Sequence, residues 1–261
     1  MVSFSDTAIQ HVDHHSFSSA DPFPLLVVDD FLPVATADAI FSEVTRNDDL
    51  RKSNDYIFAK NKFENPDLEA IGSATRAFRN LMLSDEVAAF LSDLYGKTVF
   101  VDPEFVGGGL HRGGQGSFLD MHVDFGLHPK NRLWIRELNI LFYLNKHWDP
   151  SFGGNLELRN GRTGKTLSVE ARFNRLVIML TKDFTFHGYR PIRFPPGTFR
   201  TSIAAYAYSQ AMGTQDTEHL RTTTVWLPEG GGILKAAVAR ATPALVTLKQ
   251  RLFGSSTARK K

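Results

Sequence analysis

The stretch Ser117-Phe118-Leu119-Asp120-Met121-His122-Val123-Asp124 has the texture of a β-strand and ends in a His-x-Asp pair. Side chains alternate across a strand with a period of two, so His122 and Asp124 project from the same face. A third imidazole from a later strand would complete a two-histidine, one-carboxylate set. His187, in the aromatic segment Phe184-Thr185-Phe186-His187-Gly188-Tyr189, is the residue placed to supply it. Such a set suits non-haem Fe(II), which keeps coordination positions open for a cosubstrate and O2.

Around this stretch the second half of the chain breaks into short β-type segments: 98–101, 117–124, 138–144, 155–159, 166–169, 175–180, 185–189 and 201–209, with 222–227 as a further candidate. Glycine- and proline-rich turns separate them, among them Gly107-Gly108-Gly109, Gly113-Gly114 and Pro195-Pro196-Gly197. Many short strands with frequent turns predict a sandwich, barrel or jelly roll rather than a parallel βαβ sheet. Within 138–144, Leu138, Ile140, Phe142 and Leu144 make a core face. Glu137, Asn139, Leu141 and Tyr143 make a more polar face of the kind that lines a cavity. Further on, Arg200 and Ser202 share a face, and a guanidinium fork beside a hydroxyl is suited to holding a carboxylate.

The first hundred residues read as largely helical support. A short buried strand is expected at Pro24–Leu32 and a helix capped by Thr36, with Ile40, Phe41 and Val44 on one face. Asn65-Pro66 opens a second helix carrying Leu68, Ile71, Phe78 and Leu81. Ser84 opens a third, with Val87, Phe90, Leu91 and Leu94 inward and Gly96 closing it. The polar residues 1–21, including His11, His14 and His15, are read as a mobile, solvated N-terminus. Residues 230–261 read as helical and interrupted by Pro243, with Leu245, Leu248 and Leu252 beside Lys249 and Arg251. Such a basic amphipathic helix is expected to dock on its own domain.

Composition narrows the function classes. The chain has 261 residues and no cysteine, which excludes disulfides, thiolate metal sites and cysteine nucleophiles. A net charge of +2 offers no electrostatic case for nucleic acid. No apolar run approaches the ~20 residues that span a bilayer, and no secretory signal is apparent, so a cytoplasmic protein without a membrane anchor is expected. Gly161-Arg162-Thr163-Gly164-Lys165-Thr166 lacks the leading glycine of a phosphate-binding loop, because Arg159 occupies that position. Ser202 and Ser209 lack the flanking glycines of a nucleophile elbow. His128 and His147 are read as loop or rim residues, and Arg132, Trp134 and His147 as a substrate-facing rim.

Taken in order, His122-Val123-Asp124, the run from Arg136 to Tyr143-Leu144-Asn145-Lys146-His147-Trp148, Gly153-Gly154-Asn155-Leu156-Glu157-Leu158, His187 and Arg200-Thr201-Ser202-Ile203 resemble the 2-oxoglutarate- and Fe(II)-dependent dioxygenases, in their prolyl 4-hydroxylase-like branch. The lead-in from Pro22-Phe23-Pro24 to Phe31-Leu32-Pro33 is similar to that branch as well, so the resemblance runs over residues 22–226. It implies a mainly β protein with α: a double-stranded β-helix (jelly-roll, cupin-like) core with N-terminal supporting helices and a C-terminal helical extension. One catalytic domain over 1–261 is expected, divided into support (1–97), iron-bearing core (98–227) and helical tail (228–261).

By the same resemblance, His122, Asp124 and His187 match the iron ligands. Arg200 matches the residue that pairs with the far carboxylate of 2-oxoglutarate, and Tyr143 and Ser202 match its helpers. His111 matches a polar ring near the cosubstrate. The interval from His187 to Arg200 exceeds the family's usual spacing, with Pro191, Pro195 and Pro196 in the turn, and Arg190 and Arg193 are the rival anchors. The implied cofactors are Fe(II), 2-oxoglutarate and O2, with ascorbate as an accessory. The implied reaction hydroxylates a C–H bond of a prolyl residue or an amino-acid-like substrate, releasing succinate and CO2. Asp124 favours hydroxylation over halogenation, since halogenating relatives carry a small residue there. The alternatives are a tailoring oxygenase for another small metabolite or a sugar, and a catalytically silent jelly roll that binds a ligand or partner.

Overall fold

Alternating and continuous apolar runs after residue 98 build most of a single curled antiparallel sheet, to which three earlier strands add, and helices of the N-terminal part cover one of its faces. The computed structural model describes residues 12–52, 55, 57–227, 235 and 237–239. In chain order the elements are α1 (His14–Ser18), β1 (Leu25–Val28), α2 (Val34–Arg46), β2 (Arg51–Lys52), β3 (Ala59–Asn65), α3 (Leu68–Ile71), α4 (Ser73–Met82) and α5 (Asp85–Tyr95). There follow β4 (Phe100–Val101), β5 (Gly109–Val123), β6 (Trp134–Tyr143), β7 (Leu156–Asn160), β8 (Thr166–Val169), β9 (Arg175–Leu180), β10 (Thr185–Tyr189), β11 (Arg200–Gln210) and β12 (Val225–Leu227). Strands run side by side as β1-β9-β6-β11-β5-β10-β7-β8. β3 and β12 also pair with β5, β4 pairs with β11, and β2 pairs with β3. This is the double-stranded β-helix architecture expected from the sequence.

The two faces of β6 separate core from cavity as the alternation predicts. Leu138, Ile140 and Phe142 are buried against Ile40, Val44, Phe78 and Leu91 of the helical layer. Phe142 stacks on Phe78 at 4.9 Å and meets Phe31 edge-on at 5.9 Å. Burying a side chain of this size contributes about 1.5–3 kcal/mol, so this seam between helices and sheet dominates the stability of the support.

Several local expectations change. The N-terminal segment is not only helical: β3 lies along β5, with Phe63 opposite Arg112 and Glu64 opposite His111. Its sequence, Ala59-Lys60-Asn61-Lys62-Phe63-Glu64-Asn65, carries no apolar stripe, because the strand is held by main-chain pairing at the rim of the sheet. The helix read from Asn65-Pro66 is two helices. Asp67 caps α3, and the chain restarts at Ser73, where Glu43 of α2 accepts hydrogen bonds from the Ala74 and Thr75 amides. A Cβ on Gly72 would sit 2.2 Å from the Glu43 carboxyl carbon, so a glycine opens the space for this cap supplied by a neighbouring helix. Helix α2 begins after Pro33 without a side-chain cap, and Thr36 lies inside it. Ser84 and Gly96 do bound α5, with Gly96 left-handed at φ 77°.

Residues 14–18 form a turn of helix capped by Asp13, with Phe17 buried, so this part of the N-terminus is anchored rather than loose. The expected C-terminal amphipathic helix and His11 fall almost wholly outside the described residues. Lys235 is helical and places its ammonium 2.6 Å from Asp120. Among the described residues no helix is long and apolar enough to cross a membrane.

Candidate metal and cosubstrate site

His122 on β5 and His187 on β10 are direct partners across the strand pair, which sets their rings 4.2 Å apart. Asp124 lies one residue beyond the end of β5. Its Oδ1 is 3.6 Å from His122 Nε2 and its Oδ2 is 3.7 Å from His187 Nε2. All three ligand atoms lie within 4.8 Å of one another. Donors each ~2.1 Å from a common cation stand about 3–3.5 Å apart, so the cluster needs only a small contraction to share one.

The strand backbone orients both imidazoles. His122 Nδ1 is 2.9 Å from the Asp120 carbonyl, an acceptor, so Nδ1 carries the proton and Nε2 presents its lone pair toward Asp124. His187 is set by its cross-strand pairing with His122 and Leu158. Burial, followed by the neighbouring His122, pushes His187 down to about 3, so its ring is neutral at physiological pH. Burial acts to raise the Asp124 carboxyl, but His122, His187 and Arg136 outweigh it and hold the group far below the usual carboxylate range. At neutral pH the cluster therefore offers the neutral His187 imidazole and an anionic Asp124 oxygen, with the His122 ring beside them.

From this cluster a cavity of about 220 Å³ extends across the sheet to Arg200. Ser202 on β11 is opposite His111 of β5 and Tyr143 of β6, so three polar side chains form a row across the floor. Arg200 is buried. Its Nη2 donates to the Tyr143 hydroxyl at 3.0 Å and its Nε to the Gly154 carbonyl at 2.6 Å, while its guanidinium lies 4.3 Å from the centre of the Tyr189 ring. Lys62 of β3 adds a second cation to the wall. Burial, then the charges of Lys62 and Arg200, keeps His111 well below its ordinary value and hence neutral. One end of the cavity is thus a metal-type donor set and the other an anion clamp. Arg190 and Arg193 are exposed and outside this cavity.

Some sequence-selected residues lie elsewhere. Glu137, expected beside Asn139, turns to the helical side, where Tyr95, Lys97, Lys182 and Ser209 satisfy its carboxylate. The cause is a bulge: β6 pairs Leu138 with Ala207 and then Arg136 with Tyr208, which leaves Glu137 as the extra residue. The same bulge turns Arg136 into the site. Arg136 is 1% exposed, held between the Phe125 and Tyr206 rings at 4.0 and 3.7 Å. It donates to the Tyr208 hydroxyl and stands 3.4 Å from Asp124. His128 is no rim residue: it is buried, 3.2 Å from Asp102, with Trp134 and Tyr208 packed on it. His147 and Arg132 are exposed.

Trp226 was not singled out from the sequence, and Asn139 was read only as one residue of a polar, cavity-lining face. Trp226 of β12 stacks on His122 at 4.9 Å, and only its register with β5, opposite His122, puts it there. The Asn139 amide nitrogen reaches Asp124 at 3.3 Å and His187 at 3.4 Å. Its Oδ1 is buried without a partner among the described residues, an acceptor left for what fills the cavity.

Residues 108–208 match the family model of the 2OG-Fe(II) oxygenase superfamily. No curated protein matches the chain. Among solved structures, the fold is similar to a Pseudomonas putida prolyl-4-hydroxylase (TM-score 0.55, 19% identity, 71% of this chain and 92% of that one). It is also similar to a prolyl hydroxylase from Trichoplax adhaerens in complex with a hypoxia inducible factor peptide fragment (TM-score 0.53, 16% identity, 70% and 83%). A third is HygX from Streptomyces hygroscopicus with nickel, 2-oxoglutarate and hygromycin B bound (TM-score 0.51, 15% identity, 77% and 86%). At these identities the three structures speak to the fold. The matched stretch, residues 108–208, holds His122, Asp124, Tyr143, His187, Arg200 and Ser202, so the likeness to a 2OG-Fe(II) oxygenase domain covers the whole candidate site.

Proposed function

We propose that His122, Asp124 and His187 hold the Fe(II) of this oxygenase and that Arg200, assisted by Tyr143 and Ser202, holds the far carboxylate of 2-oxoglutarate. The observation that carries the reading is the shared cavity: an imidazole and carboxylate donor set at one end and a buried guanidinium at the other. The donor set fits the ion, since it mixes two ring nitrogens with a carboxylate oxygen. The orphaned Asn139 Oδ1 fits a site that is completed by what it binds.

When bound, the iron and 2-oxoglutarate supply O2 activation coupled to decarboxylation, with succinate and CO2 released. The chain's own part is orientation. The Asp120 carbonyl fixes the His122 tautomer, and Arg136 and the Asn139 amide hold the Asp124 carboxylate against the two rings. Tyr143 and Gly154 aim the Arg200 fork along the cavity. Leu141, Leu156 and the Trp226 ring supply apolar wall that limits water around the donor set.

For the substrate, the proposed reaction is hydroxylation of a C–H bond in a prolyl residue or an amino-acid-like molecule. Support comes from the order of motifs and from the resemblance in fold to prolyl hydroxylases. The hygromycin-bound neighbour keeps a sugar-bearing metabolite as the second reading. All of 1–261 is read as one catalytic unit, because the N-terminal segment supplies β1 and β3 to the sheet that carries the site. The test is succinate release with Fe(II) and 2-oxoglutarate over prolyl peptides, free amino acids and aminoglycosides, with mass spectrometry for addition of one oxygen atom. No succinate with any substrate, together with no Fe(II) binding, would leave the silent-module alternative standing.

A further inference from the structure

Adjacent residues on β5 and β11 face opposite ways, and the two faces are not alike. Ser202 and His111 face the cosubstrate cavity, while Thr201 and Arg112, paired one position along, alternate to the other face of the sheet, although Arg112 also borders that cavity. On that outer side lies a second cavity of about 340 Å³, walled by Phe41, Trp148, Phe152, Phe194 and Phe199 and reached by Arg112. The rings pack edge-on, Phe194 against Trp148 at 5.5 Å and Phe152 against Phe194 at 5.1 Å, so the wall is built rather than loose.

Arg112 is the anomaly there. It is 7% exposed, stacked 4.0 Å over the Phe199 ring, and makes one long hydrogen bond, Nη1 to the Asn47 carbonyl at 3.3 Å. Its Nε is buried with no partner among the described residues, and no described carboxylate reaches ion-pair distance, Asp48 being exposed. A buried charge without a counter-charge is costly. The Trp148 indole N–H is likewise buried in the same wall, with no partner among the described residues. Lys146, also at this cavity, is already paired with Asp38 at 2.7 Å. Two unmet donors, one on a cation whose charge partner is the exposed Asp48, in an aromatic-lined cavity suit an acceptor that is anionic, single-headed and apolar behind.

We propose that this outer cavity is a binding site for a small monocarboxylate with an aromatic or branched apolar body, its carboxylate taken by Arg112 and the Trp148 N–H. The site lies on the other face of β5 and β11 from the 2-oxoglutarate clamp, with Arg112 bordering both cavities. A second carboxylate, as in succinate or 2-oxoglutarate, would have to be buried against phenylalanine rings, so dicarboxylates are disfavoured.

The experiment is calorimetric titration of the full chain, saturated with 2-oxoglutarate, with phenylacetate, benzoate and isovalerate, and with phenylacetamide as the uncharged control. At least one acid should bind, and about tenfold or more tighter than the amide if phenylacetate is the binder, the scale of a charge-assisted hydrogen bond. Arg112→Met should weaken binding by about tenfold or more. Trp148→Phe, which keeps a ring and removes the N–H, should weaken it about three- to tenfold. Binding should be the same with 2-oxoglutarate present or left out. No binding by any of the three acids, equal binding of phenylacetate and phenylacetamide, or competition by 2-oxoglutarate with retention in Arg112→Met would each overturn the proposal. Should Arg112→Met fail to fold, by melting temperature, the acid–amide comparison and Trp148→Phe decide.

Discussion

Arg136 Nη1 lies 3.4 Å from Asp124 Oδ2, and the guanidinium that makes this approach is sealed between two aromatic rings. The pair ties the third metal-type donor to a strand that carries none of the other two. Replacing Arg136 by Met removes the positive charge and leaves Asp124 buried beside the two imidazole rings. Loss of one partner of a buried pair costs about 3–5 kcal/mol. The metal-free variant should therefore melt well below wild type, and a divalent cation should recover much of the loss by supplying the missing charge. Melting curves with and without Mn(II) check this; equal shifts by the metal in both proteins would show that Arg136 does not act through Asp124.

His187→Ala should abolish succinate formation and lower Fe(II) affinity by at least about tenfold while the circular dichroism spectrum stays native. Turnover close to wild type would remove His187 from the ligand set.

Arg200→Ala should raise the 2-oxoglutarate concentration needed for half-maximal rate by about tenfold or more, with little change in metal affinity. Arg190 and Arg193 are exposed outside the cavity, so alanine at either position should leave that concentration unmoved. The same rate assay over a 2-oxoglutarate series separates the three variants.

Glu137 contributes pH-dependent stability. Burial raises its carboxyl, but Lys182, Tyr95 and Ser209 outweigh that and hold it below its ordinary value. A carboxylate lowered by folding adds stability above its unfolded value of about 4.3, and loses it as the pH falls through the folded value. Glu137→Gln should lower stability at pH 7 by about 1–3 kcal/mol and flatten the fall below pH ~4.3. Denaturant melts at pH 7, 5 and 3.5 measure both effects.

Gly188→Ala should act at a distance of one residue. A Cβ there would stand 2.6 Å from the Leu119 carbonyl, which forces β10 away from β5 and carries His187 with it. About 1–3 kcal/mol of stability and a measurable part of the metal affinity should go together. Unfolding with and without Fe(II) checks the coupling.

The strands and the donor triad were legible because each rests on local alternation: 166–169, 175–180 and 185–189 match β8, β9 and β10 to the residue. What was not legible depends on register between distant strands. Nothing near Arg136 announces the extra residue at Glu137 that exchanges their faces; only pairing with Tyr208 and Ala207 shows it. Trp226 and β3 are hidden for the same reason, being placed by β5 rather than by their own pattern. Arg136 was even visible as the start of a motif, yet simple period-two counting sends it to the core.

The stack of Trp226 on His122 has an optical consequence. An indole 4.9 Å from an imidazole of the donor set lies well inside the range at which a bound open-shell cation drains excited-state energy. With Trp134 and Trp148 each replaced by Phe, the emission left to Trp226 should fall as Fe(II) or Co(II) fills the site and hold steady with Zn(II). The chain carries its own fluorescent gauge of metal loading, readable in the absence of turnover and before any substrate is known.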